Sequence, residues 1–203
     1  MERMGRVATR SQMTADAYLA WEREQPEKHE FFHGEVFAMA GASPRHNELS
    51  GNVLAALKAE LRPRGCSVLT SDQRIGFGVR TRFVYPDISV VCGKLEIESN
   101  DVLLNPQILV EVLSASTEQY DRGLKWEGYQ LIASLTDYVL VSQTAARIEH
   151  FQRVADGWTY RAAGAGERIV LGNGATLVVD DIFAGVFELP GDEVSPEPIV
   201  TPR

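Results

Sequence analysis

No apolar run in this chain approaches the ~20 residues that a membrane-crossing helix needs, so no membrane partner is expected. The first residues, Met1 to Arg6, lead into polar sequence and not into the apolar core of a signal peptide. Cysteine is scarce. Cys66 and Cys92 are the full complement, too few for a structural zinc site. A single bridge between them is open, but two unpaired thiols in a cytoplasmic protein are the expected state, because disulfides are uncommon in that compartment.

Positive charge is also in short supply. Twenty Lys and Arg stand against 28 Asp and Glu, a formal net charge of −8, so the surface as a whole is not built for non-specific nucleic-acid binding. A local basic groove remains open. Arg74, Arg80 and Arg82 lie just ahead of Asp87, although a solvated hairpin face would account for them as simply. Several motifs are missing altogether: the P-loop and the Gly-x-Gly-x-x-Gly turn, the His-Glu-x-x-His helix and the Gly-x-Ser-x-Gly elbow. P-loop hydrolysis of nucleotides, zinc proteolysis and α/β-hydrolase chemistry lose their usual signatures together.

What is present is one domain's worth of ordinary globular sequence. The 203 residues are 44% hydrophobic and 24% charged, enough for a real core. Residues 1–12 are expected to be a disordered lead, 13–188 a single domain, and 189–203 a flexible tail, since those last residues hold four prolines. Thr14 is placed to cap a helix over 15–23. Residues 29–40 read as two strands turning at Gly34, and 41–44 as a loop. His46 then opens an amphipathic helix with Leu49, Val53, Leu54, Leu57 and Leu61 at helical spacing, stopped by Pro63 and Gly65. Strands are expected over 66–69 and 74–79 and after Asp87, then a polar connection over 93–105. A strand at 108–113, a helix over 118–133 and a strand over 137–142 have the length of a parallel crossover. Ser114 and Ser116 are expected to cap that helix. Hairpin strands follow near 147–154, 157–162 and 176–179. The fold class is α/β around a mixed sheet flanked by helices, with extra hairpins.

The most telling stretch is Asn105-Pro106-Gln107-Ile108-Leu109-Val110-Glu111-Val112-Leu113. A short apolar run bounded by proline reads as a fully buried strand, yet one carboxylate sits in its middle. An ionised Glu there costs several kcal/mol unless it is paired or binds a metal. A second run, Tyr85-Pro86-Asp87-Ile88-Ser89-Val90-Val91, carries Asp87 at its start. Acids on two neighbouring strands can converge on one divalent cation with oxygen ligands. Taken singly, each residue has a plainer reading. Asp87 after Pro86 is common turn chemistry. Glu111 could be half of a structural ion pair. Lys125 could be an exposed helical lysine paired with Asp121 four residues earlier. Trp126 and Tyr129 read as packing residues.

These strings in order, followed by Ser116-Thr117, Tyr120-Asp121-Arg122-Gly123-Leu124-Lys125 and Tyr129, resemble the Uma-type family of restriction-endonuclease-like proteins. So does Glu30-Phe31-Phe32-His33-Gly34-Glu35-Val36 followed by His46. The resemblance spans roughly residues 12–188 and places the chain in the PD-(D/E)XK nuclease superfamily. It implies a restriction-endonuclease-like core and a Mg- or Mn-dependent endonuclease acting on DNA. Asp87 and Glu111 are then the metal-binding acids, and Lys125 is the third catalytic residue. The superfamily's usual lysine, two residues after the second acid, is Leu113 here, and the family pattern moves it to the following helix. Glu30, His46 and Asp121 are candidate accessory residues: Glu30 as a further carboxylate near the metal, His46 as a phosphate contact. The rival expectation is a nuclease-like domain that binds a partner without cutting. An exposed sheet edge and the apolar segment 182–189 are compatible with a homodimer.

Overall fold

The computed structural model describes residues 12–39 and 41–192. The rest of the expected lead, and the tail beyond Asp192, lie outside the described residues.

Local chemistry sets most element ends. Thr14 Oγ1 accepts the Ala17 N–H at 3.2 Å and starts α1 (Ala15–Glu22). β1 (His29–Phe32) and β2 (Glu35–Ala38) form the expected hairpin, with Gly34 at φ 91° in the turn, a region open to glycine at little cost. α2 (Pro44–Leu61) begins two residues before His46, because Ser43 caps it and Pro44 fits the first turn, where no N–H partner is needed. Leu49, Val53, Leu57 and Leu61 bury one stripe of it.

The strands follow: β3 (Cys66–Thr70), β4 (Arg74–Phe77), β5 (Arg82–Val84) and β6 (Ile88–Cys92). The polar connection contains a small hairpin, β7 (Ile97–Glu98) with β8 (Val102–Leu103). After β9 (Ile108–Val112) come α3 (Glu118–Tyr120), a π turn (Asp121–Lys125) and α4 (Trp126–Tyr129). This helical stretch stops short of the expected residue 133, and Leu131 is exposed. β10 (Asp137–Val141), β11 (Arg147–Val154), β12 (Gly157–Gly164), β13 (Arg168–Val170), β14 (Thr176–Val178) and α5 (Val179–Ile182) complete the chain.

The main sheet runs β12-β11-β10-β9-β6-β3. It is mixed: β9 and β10 are parallel, as the crossover predicted, and the remaining pairs are antiparallel. A second sheet runs β2-β1-β5-β4-β8-β7. Along β9 the side chains alternate. Ile108, Val110 and Val112 pack toward α2, whereas Leu109 and Leu113 pack toward Phe77, Tyr129 and Tyr138. Burial on both faces explains the unbroken apolar run. It also fixes which way Glu111 points: by the two-residue period of a strand, it shares the face of Leu109 and Leu113.

Three expectations are overturned. The cysteines are not free: Cys66 and Cys92 face each other across the β3–β6 ladder and form a disulfide. Disulfides persist mainly in oxidising compartments, which weighs against the cytoplasmic expectation. The segment 182–189 is not an open apolar patch, since Ile182, Phe183 and Val186 bury in the chain's own core. Arg74 is not on a solvated hairpin face. It is 5% exposed and donates to the Tyr85 hydroxyl, while Arg80 pairs with Asp16 and Glu98.

The bridge spans 26 residues of sequence, including β4 and β5. Closing a loop of that size restricts the unfolded chain by about 3–4 kcal/mol. Reduction, or replacement of both cysteines by serine, is expected to lower Tm by about 6–16 °C for a domain of this length. Denaturation scans with and without reductant check this, and identical midpoints would mean that the thiols are free.

Candidate active site

The β6–β9 ladder pairs Ile88 with Val110 and Ser89 with Leu109. Carried one residue further, that register sets Asp87 opposite Glu111. Residues opposite each other in an antiparallel pair share a face, with Cβ atoms about 4.5–5.5 Å apart. Both acids line one open cleft of about 750 Å³, together with Glu30, His46, Asp121 and Lys125. All six residues singled out from the sequence therefore meet in one place.

Asp87 sits at the bend before β6. One carboxylate oxygen accepts the Val112 N–H at 2.7 Å, and the other lies 2.9 Å from His46 Nε2. His46 thus touches Asp87, which its sequence reading as a phosphate contact did not anticipate. Burial works against its imidazolium, but the hydrogen bond and charge of Asp87 prevail and raise its pKa.

Lys125 reaches inward from the helical stretch and is 6% exposed. Its Nζ lies 2.8 Å from Glu111, 3.2 Å from Glu30 and 3.3 Å from Asp121. The pairing with Asp121 at i,i+4 does form, but inside the cleft and as one contact of three. The π turn helps to explain this. On a regular helix, residues at i, i+4 and i+8 drift round the axis by about 40° per step. The wider π turn between Asp121 and Lys125 offsets that drift, so Asp121, Lys125 and Tyr129 all face the sheet. Such turns inside α-helices recur at functional sites. Gly128 brings this helix down onto β4: a Cβ there would lie 2.7 Å from the Phe77 ring.

Tyr129 is the residue that the sequence reading took for packing alone. It is fully buried, and its hydroxyl donates to Glu111 Oε1 at 2.7 Å. The available signal was its place four residues beyond Lys125. Trp126 does pack, stacked on Tyr138 at 5.2 Å. Ser114, expected as a cap, accepts from the Thr117 N–H at 3.2 Å and bonds the hydroxyls of Ser116 and Thr117 on the cleft wall.

The electrostatics are lopsided. Burial pushes Glu111 well above the usual carboxylate range; Asp121 and Asp87 push the same way, and Lys125 opposes them. Burial likewise raises Asp121. Burial also works against the Lys125 ammonium, but Glu111, Glu30, Tyr129 and Asp121 outweigh it and hold its proton well above the usual lysine value. Lys125 is therefore an ammonium at neutral pH. Glu30, Asp87, Glu111 and Asp121 bring more negative charge than Lys125 and His46 can balance. Such a site must take up a proton or a cation. Among the described residues, no three acid, histidine or cysteine side chains enclose a metal site by themselves.

The mixed sheet with its cleft-lining acids defines a protein of restriction-endonuclease-like fold. Residues 15–190 match the Uma2 family, described as "Putative restriction endonuclease", and the chain belongs to that family. Two uncharacterised proteins of Synechocystis sp. are relatives. One is 35% identical over 86% of this chain and 93% of its own length, the other 36% identical over 74% and 86%. A crystal structure of a putative nuclease from Anabaena variabilis shares the fold, with a TM-score of 0.65 at 16% identity, covering 86% of this chain and 99% of that one. As far as the described residues go, no helix is long and apolar enough to cross a membrane.

Proposed function

We propose that this protein is a Mg²⁺- or Mn²⁺-dependent endonuclease that hydrolyses phosphodiester bonds in DNA. The observation that carries the reading is the convergence of three carboxylates on the buried Lys125 ammonium, beside Asp87, in an open cleft. Asp87 and Glu111 would hold the metal. A bound divalent ion polarises a phosphoryl oxygen and makes hydroxide available near neutral pH.

The chain's own residues have separable tasks. Val112 N–H and His46 orient the Asp87 carboxylate, and Tyr129 orients Glu111. Each carboxylate oxygen keeps lone-pair capacity beyond these bonds. Lys125, holding its proton, is a donor and not a base. It neutralises charge that builds on the phosphate as the bond to the attacking water forms. Glu30 and Asp121 would keep the ammonium in place were Glu111 to hold the metal.

One observation favours a non-cutting domain as the second reading. Lys125 already pairs with Glu111, so that carboxylate has a cationic partner without any metal. A titration separates the two. The nuclease reading expects heat on adding Mn²⁺, and nicking of supercoiled DNA in Mg²⁺ that EDTA abolishes. Absence of both Mn²⁺ binding and nicking would leave the binding-domain reading.

A further inference from the structure

Gln143 is 3% exposed just beyond β10, and no function so far accounts for it. It ties its own segment to three distant parts of the chain. Its Oε1 accepts from Ser43 Oγ at 2.9 Å, at the start of α2. Its Nε2 donates to Leu113 O at 2.7 Å, two residues past Glu111, and to Asp192 Oδ2 at 2.8 Å. The same Nε2 faces His46 Nδ1 at 3.5 Å. His46 in turn holds Asp87 with its other ring nitrogen. The segment carrying Asp192 is itself clamped: Arg45, next to His46, donates to Leu189 O at 2.8 and 3.1 Å, and its backbone N–H donates to Pro190 O at 3.1 Å.

An amide nitrogen has two hydrogens, and around it stand Leu113 O, Asp192 and His46 Nδ1, which accepts in the neutral ring whose proton is on Nε2 and points to Asp87. Leu113 O and Asp192 hold the short contacts. The His46 contact lies beyond the usual range for an N–H donor, so a full bond to His46 requires one of the others to let go. We propose that Gln143 is a positioning residue of the nuclease site. It sets the His46 ring, and through it Asp87, while Asp192 competes for the same amide hydrogen. The effect on cleavage rests on the nuclease reading; the effect on His46 does not.

The test uses the full chain, ¹⁵N-labelled, with Gln143→Leu and Asp192→Ala. Long-range ¹H–¹⁵N spectra of the metal-free protein at one alkaline pH, where the His46 ring is neutral, report its ring nitrogens directly. Gln143→Leu removes the amide that faces Nδ1, whereas Asp192→Ala frees a hydrogen for it. The Nδ1 resonance is therefore expected to move in opposite senses in the two variants. Mg²⁺-dependent turnover should fall about tenfold in Gln143→Leu with KM little changed, the lower end of what outer-shell partners of a metal ligand contribute. Asp192 is only partly buried, so its variant carries the test even if Gln143→Leu fails to fold. His46 resonances matching the wild type in the variants that fold overturn the proposal, whatever the cleavage assay gives. Shifted resonances in a protein that never cuts DNA uphold the positioning of His46 and remove the nuclease reading instead.

Discussion

Lys125→Met is expected to lose about 10²–10³-fold in turnover, the usual scale for removing one donor that stabilises transition-state charge, and to unfold more easily. The two losses have separate causes. Methionine keeps most of the stem and so most of its apolar bulk, but loses the cation–π contact of Nζ over the Tyr120 ring at 5.7 Å. What goes is the ammonium within 3.3 Å of three buried carboxylates. Removing one partner from a buried ion pair typically costs about 3–5 kcal/mol, because the other charge is left uncompensated. For a chain of this length that lowers Tm by about 6–20 °C. The loss should depend on pH. Without the ammonium, Glu111 and Asp121 keep folded-state pKa values raised by burial. A raised acid contributes stability that is whole below its unfolded pKa and fades as pH rises through the folded one. The variant should therefore approach the wild type near pH 4 and fall furthest behind above neutrality. Melting curves across that range check the first claim, and single-turnover cleavage checks the second. A variant that melts and cuts like the wild type would mean that Lys125 is a bystander of Asp121.

Much of this site could be read in the sequence because burial leaves a mark. A carboxylate inside an apolar strand, as at Glu111, stands out with no knowledge of its neighbours. Asp87 at the head of a second such strand then suggests where the first one points. The contacts that finish the site left no local mark. That Lys125 reaches Glu111 depends on a π turn, which hydrophobic spacing does not encode. The Tyr129 hydroxyl looked like one more aromatic until its partner was in view. Gln143 takes its partners from Ser43, Leu113 and Asp192, so no window of sequence contains its role. The disulfide has the same origin. Cys66 and Cys92 face each other through the β3–β6 register, which is settled by which faces are buried over the whole sheet. The early start of α2, by contrast, was legible and misjudged: Ser43-Pro44 is a helix-opening pair, and the proline was counted with the loop.

Glu111→Gln should cost about 10³-fold or more in metal-dependent cleavage while leaving the fold intact. The substitution keeps volume, and an amide oxygen can still accept from the Tyr129 hydroxyl and from Lys125. Glu30 and Asp121 continue to balance the ammonium. What disappears is one negative charge of the pair that would hold the metal. Metal polarisation of a phosphoryl oxygen stabilises the transition state by several kcal/mol, and each 1.36 kcal/mol is a factor of ten in rate. Metal-free stability should move the other way. Glu111 is held above its ordinary pKa by burial, so its contribution to stability is complete only below about pH 4 and declines as pH rises. A neutral amide escapes that decline. The difference in Tm between variant and wild type should therefore grow in the variant's favour from pH 4 to pH 8, while its calorimetric Mn²⁺ signal weakens or vanishes. This opposition separates a metal ligand from a structural ion-pair partner. If Glu111 served only to neutralise Lys125, the variant would melt earlier at every pH and still bind Mn²⁺, and Glu111 would have no place in the chemistry.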